Sequence, residues 1–268
     1  MTDTDLEGSA VSLDILSVRW AAKKVLGPTL DLIGEDLATL YAKGRNRLIA
    51  AAQRKISNPE DGKTANLRVA RDVLWNGAFS EDEICVEYFG GLLAASRTKD
   101  GKDDSLIPLV DVVKSLSSDQ LRLHYYMYHG LNKMLQEYTP PKSAGGGQSP
   151  ARSKVVFRYL PSEHVGVGDL VVLGQRGLTR SATWRIAKIR TKVDGSESVV
   201  PYASAEATNF GKMLYAAAYN NLLWWRAFGT MRTKHEDLPG VKLPDSYGFD
   251  VMGLLESVIS DDWELVSA

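Results

Sequence analysis

Four histidines, one cysteine and a handful of acidic and glycine-rich clusters are the residues whose types could support catalysis or metal binding. His124 and His129 lie five apart on one helical pattern, off the i, i+4 face that zinc ligation uses, and neither belongs to an HExxH motif. Cys85 offers no second sulfur ligand and falls among apolar neighbours, so a small core residue is expected. His164, in PSEHVGVGD, is expected in a turn, and His235 completes the set. No GxSxG elbow marks a nucleophile. Gly145–Gly147 lacks the GK[ST] ending of a phosphate loop, and Gly166-Val167-Gly168 lacks the third glycine of a dinucleotide fingerprint. Glu81-Asp82-Glu83 reads as helix capping, and Asp103-Asp104 as a charged loop without EF-hand spacing. From the residues alone, no catalytic, metal or cofactor-binding residue is expected.

Two stretches suit binding better. Lys43, Arg45, Arg47, Arg54 and Lys55 interleave with Leu48 and Ile49, a pattern expected of a solvated basic helix face. The same face would suit an anionic membrane surface or nucleic acid. Tyr219, Trp224, Trp225, Arg226, Phe228, Arg232 and Lys234 combine aromatics with cations, as base-stacking surfaces do; at helical spacing they are expected to fill a core or a protein interface.

The elements that would position these residues are mainly helical. Ser80 to Arg97, SEDEICVEYFGGLLAASR, reads as the central helix, opened by a Ser80–Glu83 capping box. Its Gly90-Gly91 pair is expected to mark close packing, because glycine otherwise weakens a helix. Helices are expected around Leu13–Trp20, after Gly27-Pro28, over Leu67–Ala78, over Leu106–Leu116 and from a second capping box, Ser117–Gln120, onward. TPPKSAGGGQSPARS, residues 139–153, reads as a linker. Beyond it, Val155–Leu160 and Leu170–Leu173 read as short strand-like runs, and Trp184–Val193 as strand or helix. A long helix is expected from Thr208 to Arg232, a short one over Gly253–Ile259, then an acidic exposed tail. The expected organisation is a mainly α chain: a helical bundle over 1–138, then a smaller mixed α+β part over 154–268.

Length, composition and charge set wider limits. The 268 residues suffice for one large or two small domains. A net charge of -1 argues against a broadly basic nucleic-acid binder. The single cysteine fits a reducing compartment, and the polar, acidic start is unlike a signal peptide, so a cytoplasmic location is expected.

Three segments carry a family resemblance: KKVLGPTLDLIGEDLATLYAKGRNRL, VLWNGAFSEDEICVEYFGGLLAASR and IPLVDVVKSLSSDQLRLHYYMY. From about Lys23 to Leu135 their order resembles the Abi-alpha family, named for abortive infection, with a weaker echo at Tyr247-Gly248-Phe249. Residues from Pro140 to about Asp245 depart from the family's pattern. The resemblance implies a bacterial or phage-borne antiviral defence protein; it supplies no catalytic residues. Together with the residues, it leads to the expectation of a protein acting through a protein partner or phage-encoded trigger. Self-association, a nucleic acid, or a peripheral position at the inner membrane face are the alternatives.

Overall fold

The computed structural model describes residues 30–137, 154–158, 167–230, 235–241 and 263–265. The elements expected around Leu13–Trp20 and Gly253–Ile259, the 139–153 linker, Tyr247–Phe249, His164, Arg232 and Lys234 lie outside them. The described chain is mainly helical, with antiparallel strands gathered in its later part.

In chain order, α1 spans Leu30–Arg54, β1 Thr64–Ala65, α2 Leu67–Gly77, α3 Glu83–Ala95 and β2 Arg97–Thr98. Next come α4 (Ile107–Lys114) and α5 (Ser118–Glu137). The later part adds β3 (Lys154–Arg158), α6 (Val167–Gln175), β4 (Thr179–Thr191), β5 (Glu197–Ala207), α7 (Asn209–Ala218) and β6 (Trp263–Leu265). A 3-10 turn over Leu222–Ala227 follows α7.

The central helix is α3, and its start differs from expectation. Asp82, not Ser80, is the N-cap: its carboxylate accepts from the Ile84 N–H at 3.1 Å. Glu83 is drawn away from a capping box by Arg47, which it meets at 2.7 Å. The second capping box forms as expected, with Gln120 N–H on Ser117 Oγ and Ser117 N–H on Gln120 Oε1.

Both glycines of α3 are needed for close approach. A Cβ on Gly90 would sit 2.6 Å from Ala51 of α1, and one on Gly91 only 2.3 Å from the Ala218 carbonyl of α7. An early helix, α1, and a late one, α7, thus both close on α3 at backbone distance. One hydrophobic cluster accordingly runs from Leu48, Ile84 and Leu92 through Leu121 and Leu131 to Leu173, Leu214, Tyr215 and Leu238.

Two later elements differ from the sequence reading. Leu170–Leu173 is helix α6, not a strand: Leu170 and Leu173, three apart, are buried while Val171 between them is exposed. The helix expected from Thr208 to Arg232 stops at Ala218. Asn220 takes φ 57°, its N–H bonds Ala217 O at 2.9 Å, and Asn221 N–H bonds Ala216 O at 2.8 Å. That paired pattern is a Schellman stop, and asparagine tolerates its left-handed position.

Of the run Trp184–Val193, residues up to Thr191 resolve as strand and Lys192-Val193 as turn, within the β4–β5 hairpin, whose register runs from Thr179↔Ala207 to Arg190↔Glu197. A bulge near Ser181 (φ 52°) interrupts it. The four-stranded antiparallel sheet has the order β3-β5-β4-β6. Its last strand, Trp263–Leu265, comes from the stretch expected to be an exposed acidic tail; it pairs with Ile189–Thr191.

Replacing Gly91 by alanine forces a methyl group against backbone that cannot rotate aside. Gly91→Ala is expected to cost about 1–3 kcal/mol in chemical denaturation. Gly168→Ala, where a Cβ meets nothing within 4 Å, is expected to leave stability unchanged or slightly raised.

Candidate functional site

The basic stretch at the end of α1 is largely paired with acidic groups of α3. Glu87 of α3 has a fully buried side chain, and Lys55, 10% exposed, reaches it twice. Its ammonium lies 2.6 Å from the Glu87 backbone carbonyl and 2.6 Å from Oε2. Arg54 Nη2 holds the other carboxylate oxygen at 2.5 Å. Burial pulls the Lys55 pKa down, opposed by the attraction of Glu87. Arg47 meets Glu83 and the Glu81 carbonyl. Lys43 is exposed, and Arg45 contacts its neighbour Asn46 at 3.4 Å. Lys43 and half of the Arg54 side chain stay on the expected solvated face, while Arg47, Arg54 and Lys55 tie this stretch to α3, and Leu48 beside them is fully buried.

The histidines converge on tyrosines. His124 is completely buried; its Nε2 faces the Gly211 carbonyl at 3.2 Å, so Nε2 carries the proton and Nδ1 accepts from Tyr88 O–H at 2.6 Å. Burial lowers its pKa to about 3, which keeps it neutral. Tyr128 stacks on His124, donates to the Leu178 carbonyl and accepts from the Thr208 N–H. One helical turn and a half later, His129 stacks on Tyr125 and contacts Tyr215 and Asp237. His235, stacked on Tyr219 at 4.0 Å, contacts Tyr215 and Asn221. Three histidines and their tyrosines thus form a continuous polar-aromatic cluster, buried at His124 and His129 and partly open at Tyr219 and His235. Sequence reading placed two of these histidines on one helix but could not see that Tyr215, more than 80 residues away, joins them.

Cys85 is buried, and desolvation raises its thiol pKa to about 11, so it remains protonated and unreactive. Among the described residues, no group of three His, Cys, Asp or Glu side chains is arranged to hold a metal ion. A shallow polar depression lies beside Asn58, Asp61, Arg97 and Asn220, with Arg97 already bound to Asp61 at 2.6 Å.

Among the described residues, two of the exposed apolar groups include aromatic rings. On α1, α2 and the turn after α2, Tyr41, Trp75 and Phe79 form a triangle of rings with centroids about 6 Å apart (5.9–6.1 Å). Trp75 is 50% and Phe79 46% exposed, and Leu40 beside Tyr41 is also exposed. In the 3-10 turn, Leu223 is 90% exposed and Trp224 partly so, while Arg226 lies over the Trp225 ring at 5.2 Å. Tyr219 and Phe228, from the same sequence cluster, pack against the core. No helix of the described residues is long and apolar enough to cross a membrane.

No family model, curated protein or solved structure matches the chain.

A buried carboxylate with two cations penalises loss of the better-buried one most. Lys55→Met is expected to destabilise by about 3 kcal/mol, because Glu87 is left buried and under-compensated. Arg54→Met, at a half-exposed position, is expected to cost less. Adding Glu87→Gln to Lys55→Met recovers part of the loss in a denaturation double-mutant cycle.

Proposed function

We propose that the chain is an interaction protein that works by docking a protein partner on the Tyr41–Trp75–Phe79 surface. The observation that carries this reading is the ring triangle itself. Three aromatics that touch one another yet leave Trp75 and Phe79 half exposed are costly to solvate. Such side chains anchor protein interfaces, where rigid aromatic area is buried at little entropic cost. The inward pairing of Arg47, Arg54 and Lys55 favours an apolar protein partner over an anionic membrane or nucleic acid on that face. The resemblance of residues 23–135 to the Abi-alpha family supplies the setting: abortive-infection-type antiviral defence in a bacterial cytoplasm, with a phage-encoded or host protein as partner. The reading assigns the chain binding, not chemistry.

Phage plating on cells carrying the gene, with host survival scored at high phage dose, tests this directly. Trp75→Ser combined with Phe79→Ser is expected to keep the helical circular-dichroism spectrum and melting behaviour but to restore plating to the level of cells lacking the gene. Leu92→Asp, in the core, should abolish both fold and protection. Unchanged plating between cells with and without the intact gene, across a broad phage panel, would overturn the defence setting. Protection that survives the double variant would overturn the assigned surface.

A further inference from the structure

Residues 235–241 form no helix or strand, yet they are tied to the core by buried side chains and by hydrogen bonds. Leu238 and Val241 are buried in the main cluster. Leu238 N–H donates to Tyr125 Oη at 3.1 Å, and Tyr219 O–H donates to the Glu236 carbonyl at 2.8 Å. The two ends of the polar contact are histidines, His235 on the segment and His129 on α5.

Their hydrogen bonds form one directed chain. Asn221 Nδ2 donates to His235 Nε2 at 2.9 Å, which leaves the His235 proton on Nδ1. That Nδ1–H donates to Tyr215 Oη at 3.3 Å, and the Tyr215 O–H donates to His129 Nδ1 at 2.9 Å. His129 Nε2–H then donates to Asp237 Oδ1 at 3.0 Å, returning the chain to the same segment. Every donor of this chain meets its acceptor while both imidazoles carry a single proton. A second proton on His235 sets N–H against the Asn221 amide hydrogens. A second proton on His129 displaces the Tyr215 hydroxyl hydrogen from Nδ1 and leaves that N–H only the longer contact to Tyr219 Oη, at 3.3 Å.

We propose that residues 235–241 are a proton-sensitive latch, held closed by singly protonated His129 and His235 and released when both gain a second proton. Release uncovers the rings of Tyr125, Tyr215 and Tyr219 beneath it.

The charges around the latch agree. His129 faces Asp237 from the segment, Lys133 from its own helix, Tyr125 below it, and Tyr215 and Tyr219 from α7. Burial is the largest influence and lowers its pKa; Asp237 opposes this, and Lys133 adds to it. His235 faces Tyr215, Tyr219, Asn221 and His129, and burial followed by the His129 charge lowers its pKa to about 4. A histidine whose pKa is lower in the closed state than its ordinary 6.5 favours closure fully above that value. The advantage fades as pH falls from about 6.5 toward about 4, because the open state takes up the proton first.

Hydrogen exchange of the full chain, corrected for the intrinsic rate at each pH, reads the latch directly. Between pH 7.5 and pH 5, protection of the Leu238 amide is expected to fall by about tenfold or more, with α3 amides unchanged. His235→Phe, which keeps a ring over Tyr219 but cannot titrate, is expected to flatten most of this response. Imidazole NMR on the unaltered chain gives a check that needs no variant: loss of protection and uptake of the second proton by His129 and His235 should share one midpoint. Equal Leu238 protection at the two pH values, or an opening midpoint separate from the histidine titration, would overturn the proposal.

Discussion

Everything in this fold depends on how closely α3 lets its neighbours approach. At Gly90 the α1 backbone comes near enough that a methyl group would strike Ala51, and at Gly91 the Ala217–Ala218 carbonyls of α7 occupy the same kind of space. A helix interior normally avoids paired glycines because they add unfolded-state entropy. Here that cost is offset by two long packing seams made at backbone distance. Once α1 lies so close, Glu87 on α3 loses water, and Arg54 and Lys55, at and just past the end of α1, reach over to compensate it. The basic face is thus a consequence of the packing.

The second seam explains the interior chemistry. With α7 against α3, Tyr215 is carried into reach of α5, and Gly211 presents its carbonyl to His124. Gly211 leaves room for this: a Cβ there would meet the Tyr128 hydroxyl at 2.0 Å. The large aromatic side chains bring apolar volume together with polar tips that pair among themselves. Neutral histidines serve as two-ended connectors in that network, a role burial enforces by disfavouring their charged form.

Much of the helical framework was legible from local pattern. The Ser117–Gln120 box, the Asn66-led helix over 67–77 and the close approach at Gly90-Gly91 all follow from residues within one or two turns. Features set by distant partners were not. Arg47 and Arg54 find their carboxylates 36 and 33 residues away, so the stretch looked like a solvated surface. Glu83 likewise left a capping box that its neighbours favoured. The four-residue run Leu170–Leu173 was too short for periodicity to separate strand from helix. Asn220-Asn221 did hold a local stop signal for α7, hidden by the apolar pattern continuing past it. The Tyr–His interior and the Tyr41–Trp75–Phe79 triangle are assembled from separate elements, and spacing along the chain carries no trace of either.

The central claim is that α3 is completed only when α7 and its neighbours close on it. The most direct measurement is denaturant unfolding of a fragment ending at residue 138, followed by near-ultraviolet circular dichroism. That fragment lacks the Ala217–Ala218 seam against Gly91, the Gly211 acceptor of His124 and the Leu178 and Thr208 partners of Tyr128. The account predicts a weak aromatic signal and no cooperative transition. A sharp, two-state transition with native-like aromatic dichroism would contradict it, because the helical bundle would then be complete without α7.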